Sequence, residues 1–323
     1  MNQRNAIAMG ARFLEARQYP SGEFRDFRAY GSPGTEWVSG YVGFELSEMP
    51  GAETYSPLRL VSSYVLRSQR TSGGWGYHAG APTDADSTAW CVRFLSKTLG
   101  LRSHILPASW STLHAHKDPL TSGYTTYLPS VLQPMTQSGF CHASPCVTAN
   151  IALSLCESRE QRAVEAVRQA IEYILAEQEQ DGSWTAYWWA ERTYVTSICT
   201  SFLETVGQRG TAHDAATVWL RESQLPDGSW PGGAFGAAYG INGLCGTRWY
   251  ENESHLKRAA DYLLRSQLKD GSWGAPPLLR VPSIATQARW HPNDCEPVLP
   301  ALDRVFTTAA ALGALCRLAR LPM

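Results

Sequence analysis

Apolar residues recur at helical spacing in a series of segments that each end on a shared signature. In four segments the signature is Gln, three residues, Gly, one residue and Trp. These four are 64–75 (YVLRSQRTSGGW), 173–184 (YILAEQEQDGSW), 219–230 (WLRESQLPDGSW) and 262–273 (YLLRSQLKDGSW). Two weaker copies are 13–24 (FLEARQYPSGEF), with Phe24 for Trp, and 113–124 (LHAHKDPLTSGY), with His116 for Gln. Successive Gln positions lie 51, 47, 62, 46 and 43 residues apart, so the chain is a repeat array.

Each signature is followed by a loop and a second helical segment that is rich in small residues. The first helix of a repeat carries charge on one face, whereas the second is nearly uncharged and is expected to be buried on most sides. The second helices are predicted at 35–46, 84–99, 145–155, 193–206, 236–246 and 304–315. Gly stops the first helix, and we expect Trp to pack back on that helix while Gln holds backbone groups of the turn.

Six such helix pairs predict an all-α fold, an (α/α)6 barrel with six inner and six outer helices. Closing the ring hides the ends that an open solenoid has to cap. Because the array runs through the whole chain, residues 1–323 are predicted to form a single barrel domain. All inner helices would then begin at the same end, so functional residues are expected at their N-termini, around one mouth.

Composition narrows the class of protein. The 28 basic and 29 acidic residues give a net charge of −1, which disfavours nucleic acid as a partner because binding to phosphates needs a basic surface. The most apolar stretch, 306–321, is interrupted by Arg317 and Arg320, so it is not predicted to span a membrane. The eight cysteines form no C-x-x-C pair, which favours thiols in a reducing compartment and a cytoplasmic location.

Candidate chemistry lies at the start of the second inner helix, in the segment PTDADSTAW (82–90). An aspartate at a helix start is most often an N-cap. Here, however, Asp84 and Asp86 lie two residues apart on a helix expected to be buried, where two carboxyl groups can share a proton. Asp86, Trp90 and Phe94 are four residues apart and so form one stripe. A carboxylic acid beside aromatic rings suits carbocation chemistry, because the acid supplies a proton and the π-faces stabilise the positive charge.

The Q-x-x-x-G-x-W segments resemble the QW repeats of squalene-hopene and oxidosqualene cyclases and of class II diterpene cyclases. The segment DADSTA (84–89) resembles the D-x-D-D-T-A acid motif of that superfamily. The resemblance implies a class II terpene cyclase, of which this chain would be a single-barrel member. Such an enzyme cyclises a linear isoprenoid or meroterpenoid through carbocations that are formed by protonation.

The resemblance also assigns roles to residues. Asp86 matches the general acid that protonates the alkene or epoxide, and Asp84 matches the carboxylate that holds the acid in its reactive orientation. The segment CVTAN (146–150) resembles D-V-T-A-H, whose His hydrogen-bonds the acid, so Asn150 takes the place of that His and Cys146 the place of an Asp. An amide can donate a hydrogen bond to Asp86 but cannot carry the charge of an imidazolium.

Aromatic residues near the predicted mouth are expected to line the substrate cavity. The predicted set is Trp90, Phe94, Tyr187, Trp188, Trp189, Tyr194, Phe235, Tyr239, Trp290 and Phe306. The long segment 274–303, which contains Trp290, His291 and Asp294, is a candidate lid.

Several alternatives stay open at this stage. The barrel can be a non-catalytic or partner-dependent module that binds an isoprenoid or a protein, or a zinc enzyme of the prenyltransferase type. Candidate zinc ligands are Cys141, His142, Cys245, Asp294 and Cys295, although their spacing matches no motif of those enzymes, and no metal is predicted. No cofactor is expected, except Mg²⁺ if the substrate carries a diphosphate, which Arg192, Arg248, Arg280 and Arg289 are candidates to bind. The expected partner is a hydrophobic isoprenoid substrate; peripheral membrane contact and a homo-oligomer are left open.

Overall fold

The computed structural model describes residues 2–29, 31–99, 106–132, 139–157, 161–246, 248–282 and 298–322. In these ranges the chain forms twelve α-helices that alternate between an outer and an inner position. The outer helices are α1 (Gln3–Arg17), α3 (Ser56–Ser68), α5 (Leu106–Ala115), α7 (Gln161–Ala176), α9 (Thr211–Glu222) and α11 (Glu253–Ser266). The inner helices are α2 (Glu36–Leu46), α4 (Ala85–Leu99), α6 (Pro145–Cys156), α8 (Thr193–Thr205), α10 (Gly233–Leu244) and α12 (Val305–Leu318).

The inner helices pack in cyclic order, each against the next, and α12 returns to contact α2. This closure makes the (α/α)6 barrel, and the predicted fold class is confirmed. The nearly uncharged sequences of the inner helices explain their position, since every residue of α2 and almost every residue of α6 is buried. The predicted inner helices match the observed ones within three residues; the largest differences are at the start of α10, at Gly233, and at the end of α12, at Leu318.

The signature turns join neighbouring repeats as well as closing their own helix. In Gln69, Gln178, Gln224 and Gln267 the Nε2 atom donates to the carbonyl oxygen of the Gly four residues later. The same atom also donates to an oxygen of the next outer helix, as Gln178 does to Ala212 and Gln267 does to Ala6. The contact of Gln267 with α1 therefore closes the outer ring.

The tryptophans of these turns hold the inner and outer helices together. Trp75, Trp184, Trp230 and Trp273 are fully buried, and each indole Nε1 donates to a backbone carbonyl ten residues earlier in the outer helix. In three of them the backbone N–H is bound by a threonine of the inner helix: Thr88, Thr196 or Thr308. These contacts fit the structural role that the sequence predicts for Gln and Trp.

In the described parts of the connections, the chain forms three short antiparallel pairs of strands. They are β1 (Asp26–Ala29) with β2 (Ser32–Gly34), β3 (Trp75–Gly76) with β4 (Thr83–Asp84), and β5 (Leu279–Arg280) with β6 (Val298–Leu299). The β3–β4 hairpin ends at Asp84 and therefore delivers the chain directly into the first turn of α4. Among the helices described, none is long and apolar enough to cross a bilayer.

Candidate active site

Asp84 caps the N-terminus of α4. Its Oδ1 accepts from the backbone N–H of Ser87 and its Oδ2 from the Ser87 hydroxyl, both at 2.7 Å. The side chain is 3% exposed, and burial, with a contribution from the charge of Asp86, raises its pKa to about 7. The resemblance implied that Asp84 holds Asp86. In the structure, the hydrogen bonds of Asp84 go to Ser87, and Asp86 has other partners.

Asp86 lies in the first turn of α4, where two neighbouring inner helices reach it. Its Oδ1 accepts from Nδ2 of Asn150 on α6 at 2.8 Å, and its Oδ2 accepts from Nε1 of Trp37 on α2 at 3.1 Å. Burial raises the pKa of Asp86 to about 6, although both hydrogen bonds and the charge of Arg93 act in the opposite direction. A carboxyl group with this pKa is partly protonated near neutral pH, as a general acid has to be.

Both aspartates line a small cavity of about 50 Å³ at the mouth of the barrel. Its other walls are mainly aromatic and apolar: Ala29, Trp37, Tyr77, Ser87, Thr126, Tyr127, Trp188, Trp189, Leu279 and Val281. This volume suits one or a few water molecules, whereas sites for drug-sized ligands occupy roughly 300–1,000 Å³. An organic substrate therefore requires the walls of this cavity to move.

A cluster of stacked aromatic rings fills the barrel axis behind the cavity; we call it the axial cluster. Its members are Trp37, Tyr41, Trp90, Trp189, Tyr194, Phe235, Tyr239 and Phe306, each no more than 4% exposed. Phe306 is central, with ring centroids 3.8 Å from Tyr41, 4.7 Å from Trp37 and 5.7 Å from Trp189. Six members belong to the set predicted to line the cavity.

The other predicted aromatic residues have different positions. Tyr187 and Trp188 pack at the mouth with Tyr127 and Phe140, and of the two predicted residues only Trp188 lines the small cavity. Phe94 lies against Gly43 of α2, where a methyl group at Gly43 would come within 2.6 Å of its ring. Phe94 therefore helps to pack α4 on α2 and lines neither this cavity nor the larger one described next. Trp290 and the middle half of the candidate lid, 283–297, lie outside the described residues.

A second cavity of about 290 Å³ lies on the other side of the axial cluster. Trp90 and Tyr239 of the cluster form part of its wall, together with Phe44, Arg93 and Arg317. Arg317 is bound by Glu45 and Asn242. The axial cluster thus separates a small cavity that contains the two aspartates from a larger one that contains two arginines.

The candidate diphosphate and metal ligands do not form one group. Arg192 pairs with Asp181 and Arg248 with Asp214 on the surface, while the buried Arg280 donates to the carbonyl of Tyr187; Arg289 is outside the described residues. Within the described ranges, no three His, Cys, Asp or Glu side chains converge as a metal site. Asp294 and Cys295 are outside those ranges.

Sequence reasoning missed Trp37, Tyr41 and Arg93, and the first two have a signal in the repeat. Trp37 and Asp86 are the second residues of α2 and α4, and Tyr41 and Trp90 are the sixth. Phe306, Tyr194 and Asn150 occupy the same second or sixth positions of α12, α8 and α6. Aligning the inner helices on these two positions would have found the residues that face the axis.

The ring of paired helices, with two carboxyl groups at its mouth, is a toroid of the kind found in terpene cyclases. Residues 140–239 match the family model described as the squalene-hopene cyclase C-terminal domain. Drimenyl diphosphate synthase from Streptomyces showdoensis is 25% identical over 276 residues, which cover 78% of this chain and 49% of that protein. The chain therefore spans about half the length of that relative.

Solved structures give the same fold. The type II terpene cyclase MstE from Scytonema superposes with a TM-score of 0.84 at 23% identity, and the match covers 98% of each chain. A protein from Actinoplanes superposes with a TM-score of 0.86 at 26% identity, covering 98% of this chain and all of that one. The resemblance to the class II terpene cyclase and squalene-hopene cyclase superfamily is therefore confirmed.

Proposed function

We propose that the protein is a class II terpene cyclase in which Asp86 is the general acid. The observation that carries this proposal is the environment of Asp86. Its carboxyl group has a pKa of about 6, is held on both oxygens by Asn150 and Trp37, and faces a small cavity with aromatic walls. An acid of this kind can protonate a weakly basic group such as an alkene only when water is kept away.

The proposed reaction begins with transfer of the Asp86 proton to the terminal alkene or epoxide of the substrate. For an alkene, the O–H bond of the acid breaks and a new C–H bond forms, which leaves a carboxylate on Asp86 and a tertiary cation on the substrate. The next double bond attacks this cation and closes a ring. The last cation loses a proton or captures water. The product is then an isomer or a hydrate of the substrate, and Asp86 regains a proton from water at the mouth.

The axial cluster is the proposed lining for the cationic intermediates. The faces of aromatic rings attract positive charge, and this attraction is worth up to about 2 kcal/mol per contact when water is absent. Six of the eight side chains are Trp or Tyr, and Trp gives the strongest interaction of this kind. These rings occupy the axis in the structure, so we expect the substrate to enter by displacing them.

The proposed substrate is a linear isoprenoid, with or without an attached polar ring. Variants of MstE have been solved with geranylgeranyl dihydroxybenzoate as substrate and with merosterolic acid A as product. Because the proposed reaction transfers only protons and carbon–carbon bonding electrons, we expect no redox cofactor. Mg²⁺ would matter only for a substrate that bears a diphosphate. The location that we propose is the cytoplasm, a reducing compartment in which cysteines stay thiols.

The test is product analysis by gas chromatography and mass spectrometry. Purified protein and Asp86→Asn are each incubated with C10 to C30 isoprenoids, free and as diphosphates, with and without Mg²⁺. We expect a cyclic product from the wild type and at least a thousandfold loss in the variant, whose circular dichroism spectrum should stay unchanged. Turnover that survives in Asp86→Asn would refute the acid assignment.

Two further results would favour the alternatives. A folded wild-type protein that binds isoprenoids but converts none of them would support the non-catalytic barrel. A prenyl transfer that disappears with a zinc chelator and returns with Zn²⁺ would support the prenyltransferase-type enzyme. The described residues offer no observation that favours either one.

A further inference from the structure

A chain of hydrogen bonds connects Asp86 to a charged residue that the proposed mechanism does not use. Nδ2 of Asn150 donates to Asp86 at 2.8 Å, and Oδ1 of the same amide accepts from Nη1 of Arg93 at 2.9 Å. Arg93 lies on α4, two turns beyond Asp86, and Asn150 lies on α6. The connection therefore leaves α4 at Asp86, crosses to the neighbouring inner helix and returns to α4 at Arg93.

The two ends of this connection fix the orientation of the amide. A guanidinium group can only donate hydrogen bonds, and an ionised carboxylate can only accept them. Oδ1 of Asn150 must therefore face Arg93, and Nδ2 must face Asp86. Without Arg93, the amide could rotate by 180° while Asp86 is protonated and accept its O–H, and the amide oxygen would then repel the carboxylate that proton transfer leaves.

Glu157 and Glu45 act on the positive charge of Arg93 only from beyond ion-pair distance. Among the described residues, no carboxylate is within ion-pair distance of it, and its side chain instead stacks on Phe44 and Trp90, with its Cζ 4.4 and 4.6 Å from the two ring centroids. Phe44 and Trp90 shield the guanidinium, so its field in the direction of Asn150 and Asp86 is weakly screened.

We infer that Arg93 is a positioning residue for the general acid: it orients Asn150 towards Asp86 and adds the positive charge that an amide lacks. This inference rests on the proposed function. By itself Asn150 is a neutral hydrogen-bond donor. The Asn150–Arg93 pair instead acts as a charged donor, and charged donors stabilise a carboxylate more strongly than neutral ones do. Asp86 is thereby kept a stronger acid than burial alone would allow.

Other titratable groups face this pair from the surrounding helices. Asp84, Cys146 and Tyr194 are close enough to Asp86 to interact with its charge. Glu45, Glu157, Tyr194 and Tyr239 face Arg93 from α2, the end of α6, α8 and α10. Burial raises the pKa of each of these carboxyl and phenol groups. A titration experiment therefore has to distinguish their protonation from that of Asp86.

The first experiment needs no substrate. The pKa of Asp86 is measured by carbon NMR on protein labelled at the aspartate carboxyl carbon, and the signal is assigned by its loss in Asp86→Asn. In Arg93→Met we expect this pKa to rise by about one unit, because a nearby positive charge that favours the carboxylate has been removed. An Asp86 pKa that stays within a few tenths of the wild-type value would overturn the inference.

Lys97→Met is the matched control. Lys97 lies one turn further along α4, and its Nζ is 4.5 Å from the centroid of the same Phe44 ring, but it pairs with Glu48 instead of Asn150. The control removes the same charge from the same helix and should leave the pKa of Asp86 unchanged. An equal rise in Lys97→Met and Arg93→Met would show a general electrostatic effect and would also overturn the inference.

The second experiment uses rescue by an imidazole. Arg93→Met should lower kcat by about tenfold or more with little change in KM. Adding Asn150→His to that variant should restore much of the loss, since the imidazole can then carry the charge itself. In the presence of Arg93, Asn150→His should be less active than wild type, because two cations would be adjacent. A double variant as slow as Arg93→Met would show that the arginine has only a packing role.

The two proposals can fail separately. If no isoprenoid is converted by the wild type, the proposed function fails, but the NMR titration still decides whether Arg93 controls the acidity of Asp86. If turnover is found and depends on Asp86, an unchanged NMR titration would reject only the role of Arg93.

Discussion

Asp86 has a raised pKa because it is buried, yet three groups limit the rise. Trp37, Asn150 and Arg93 all favour the ionised form, and the resulting pKa of about 6 is a balance between them and burial. Removing any one of these groups should raise the pKa further and so weaken the acid. The acid strength of this site is therefore set by residues of two other inner helices and by a distant turn of α4.

Trp37→Phe tests this balance at Oδ2 of Asp86, the oxygen that accepts the hydrogen bond from Trp37. Under the proposed mechanism only protonated Asp86 reacts, so turnover should fall as the pH rises through about 6. The variant keeps an aromatic ring but loses the indole N–H, which should raise the pKa of Asp86. The midpoint of the decrease in turnover should therefore move to higher pH, and the maximal rate should drop by about tenfold because the acid is weaker. The measurement is the rate of product formation against pH.

The control for this prediction is Trp184→Phe, which also loses an indole hydrogen bond, to the carbonyl of Ile174, far from the aspartates. Its pH profile should keep the wild-type midpoint. A Trp37→Phe profile with the wild-type midpoint as well would mean that the hydrogen bond from Trp37 does not affect the acid.

The raised pKa of Asp84 predicts that the stability of the protein depends on pH, whether or not the protein is catalytically active. Its pKa is about 7 in the folded protein, against 3.8 for an ordinary aspartate, so the folded state binds more protons between these values. The free energy of unfolding should therefore decrease as the pH rises from about 4 to about 7, by up to about 1.4 kcal/mol per pH unit from this group.

Asp84→Asn isolates this contribution, because the amide can keep both contacts with Ser87. Urea denaturation of the wild type and the variant is compared at a series of pH values. The difference between their free energies of unfolding should change in favour of the variant as the pH rises to 7. A difference that is constant between pH 4 and 7 would show that Asp84 titrates normally.

At the scale of the helix pair, the signature turns depend on a glycine that has a left-handed conformation and is closely packed. Gly182 has φ of +89°, and a methyl group there would lie 2.6 Å from the carbonyl oxygen of Ala215 on the next outer helix. Gly207 also has a positive φ, of +75°, but nothing lies within 4 Å of the corresponding position. Comparing an alanine substitution at each glycine therefore separates the cost of backbone strain from the cost of crowding.

Gly207→Ala should cost about 1–2 kcal/mol, the strain of a left-handed residue with a side chain. Gly182→Ala should cost about 2 kcal/mol more, because α9 must also move away from the turn. Chemical denaturation of both variants measures the difference. Equal losses would mean that the contact between neighbouring repeats is loose, contrary to the hydrogen bond from Gln178 to Ala212.

The sequence predicts the helices and the position of the aspartate pair at the start of α4 well, because both depend on local spacing. The repeat period gives the ring, and the inner helices follow from their lack of charge. The partner of Asp86 on α2 is different: Trp37 is 49 residues away along the chain, and the contact exists only because neighbouring inner helices begin at one level. Phe94 shows the same limit, since a four-residue spacing places it on the stripe of Asp86 but only the packing of α2 decides what it contacts.

At the scale of the whole molecule, the axial cluster controls how much space the barrel offers. The cavity at the aspartates is about 50 Å³ and the one beyond the cluster about 290 Å³. Phe306 contacts rings on both sides of the axial cluster. Towards the first cavity it contacts Trp37 and Trp189. Towards the second it stacks on Tyr41, which in turn contacts Trp90. Replacing Phe306 by a smaller residue should partly merge the two cavities.

Phe306→Ala should therefore change which products form. We expect a higher share of large or incompletely cyclised products, since the removed ring no longer shapes the folded chain of the substrate, together with a loss of stability of about 3–5 kcal/mol. Phe202→Ala is the matched control: Phe202 is equally buried on the inner helix α8 but does not belong to the axial cluster. It should lose similar stability and keep the wild-type product ratio, measured by mass spectrometry at a temperature where both variants are folded. If both variants gave the wild-type ratio, product shape would have to be set outside the axial cluster, and the substrate would have to react at the mouth, between Trp188 and the loops.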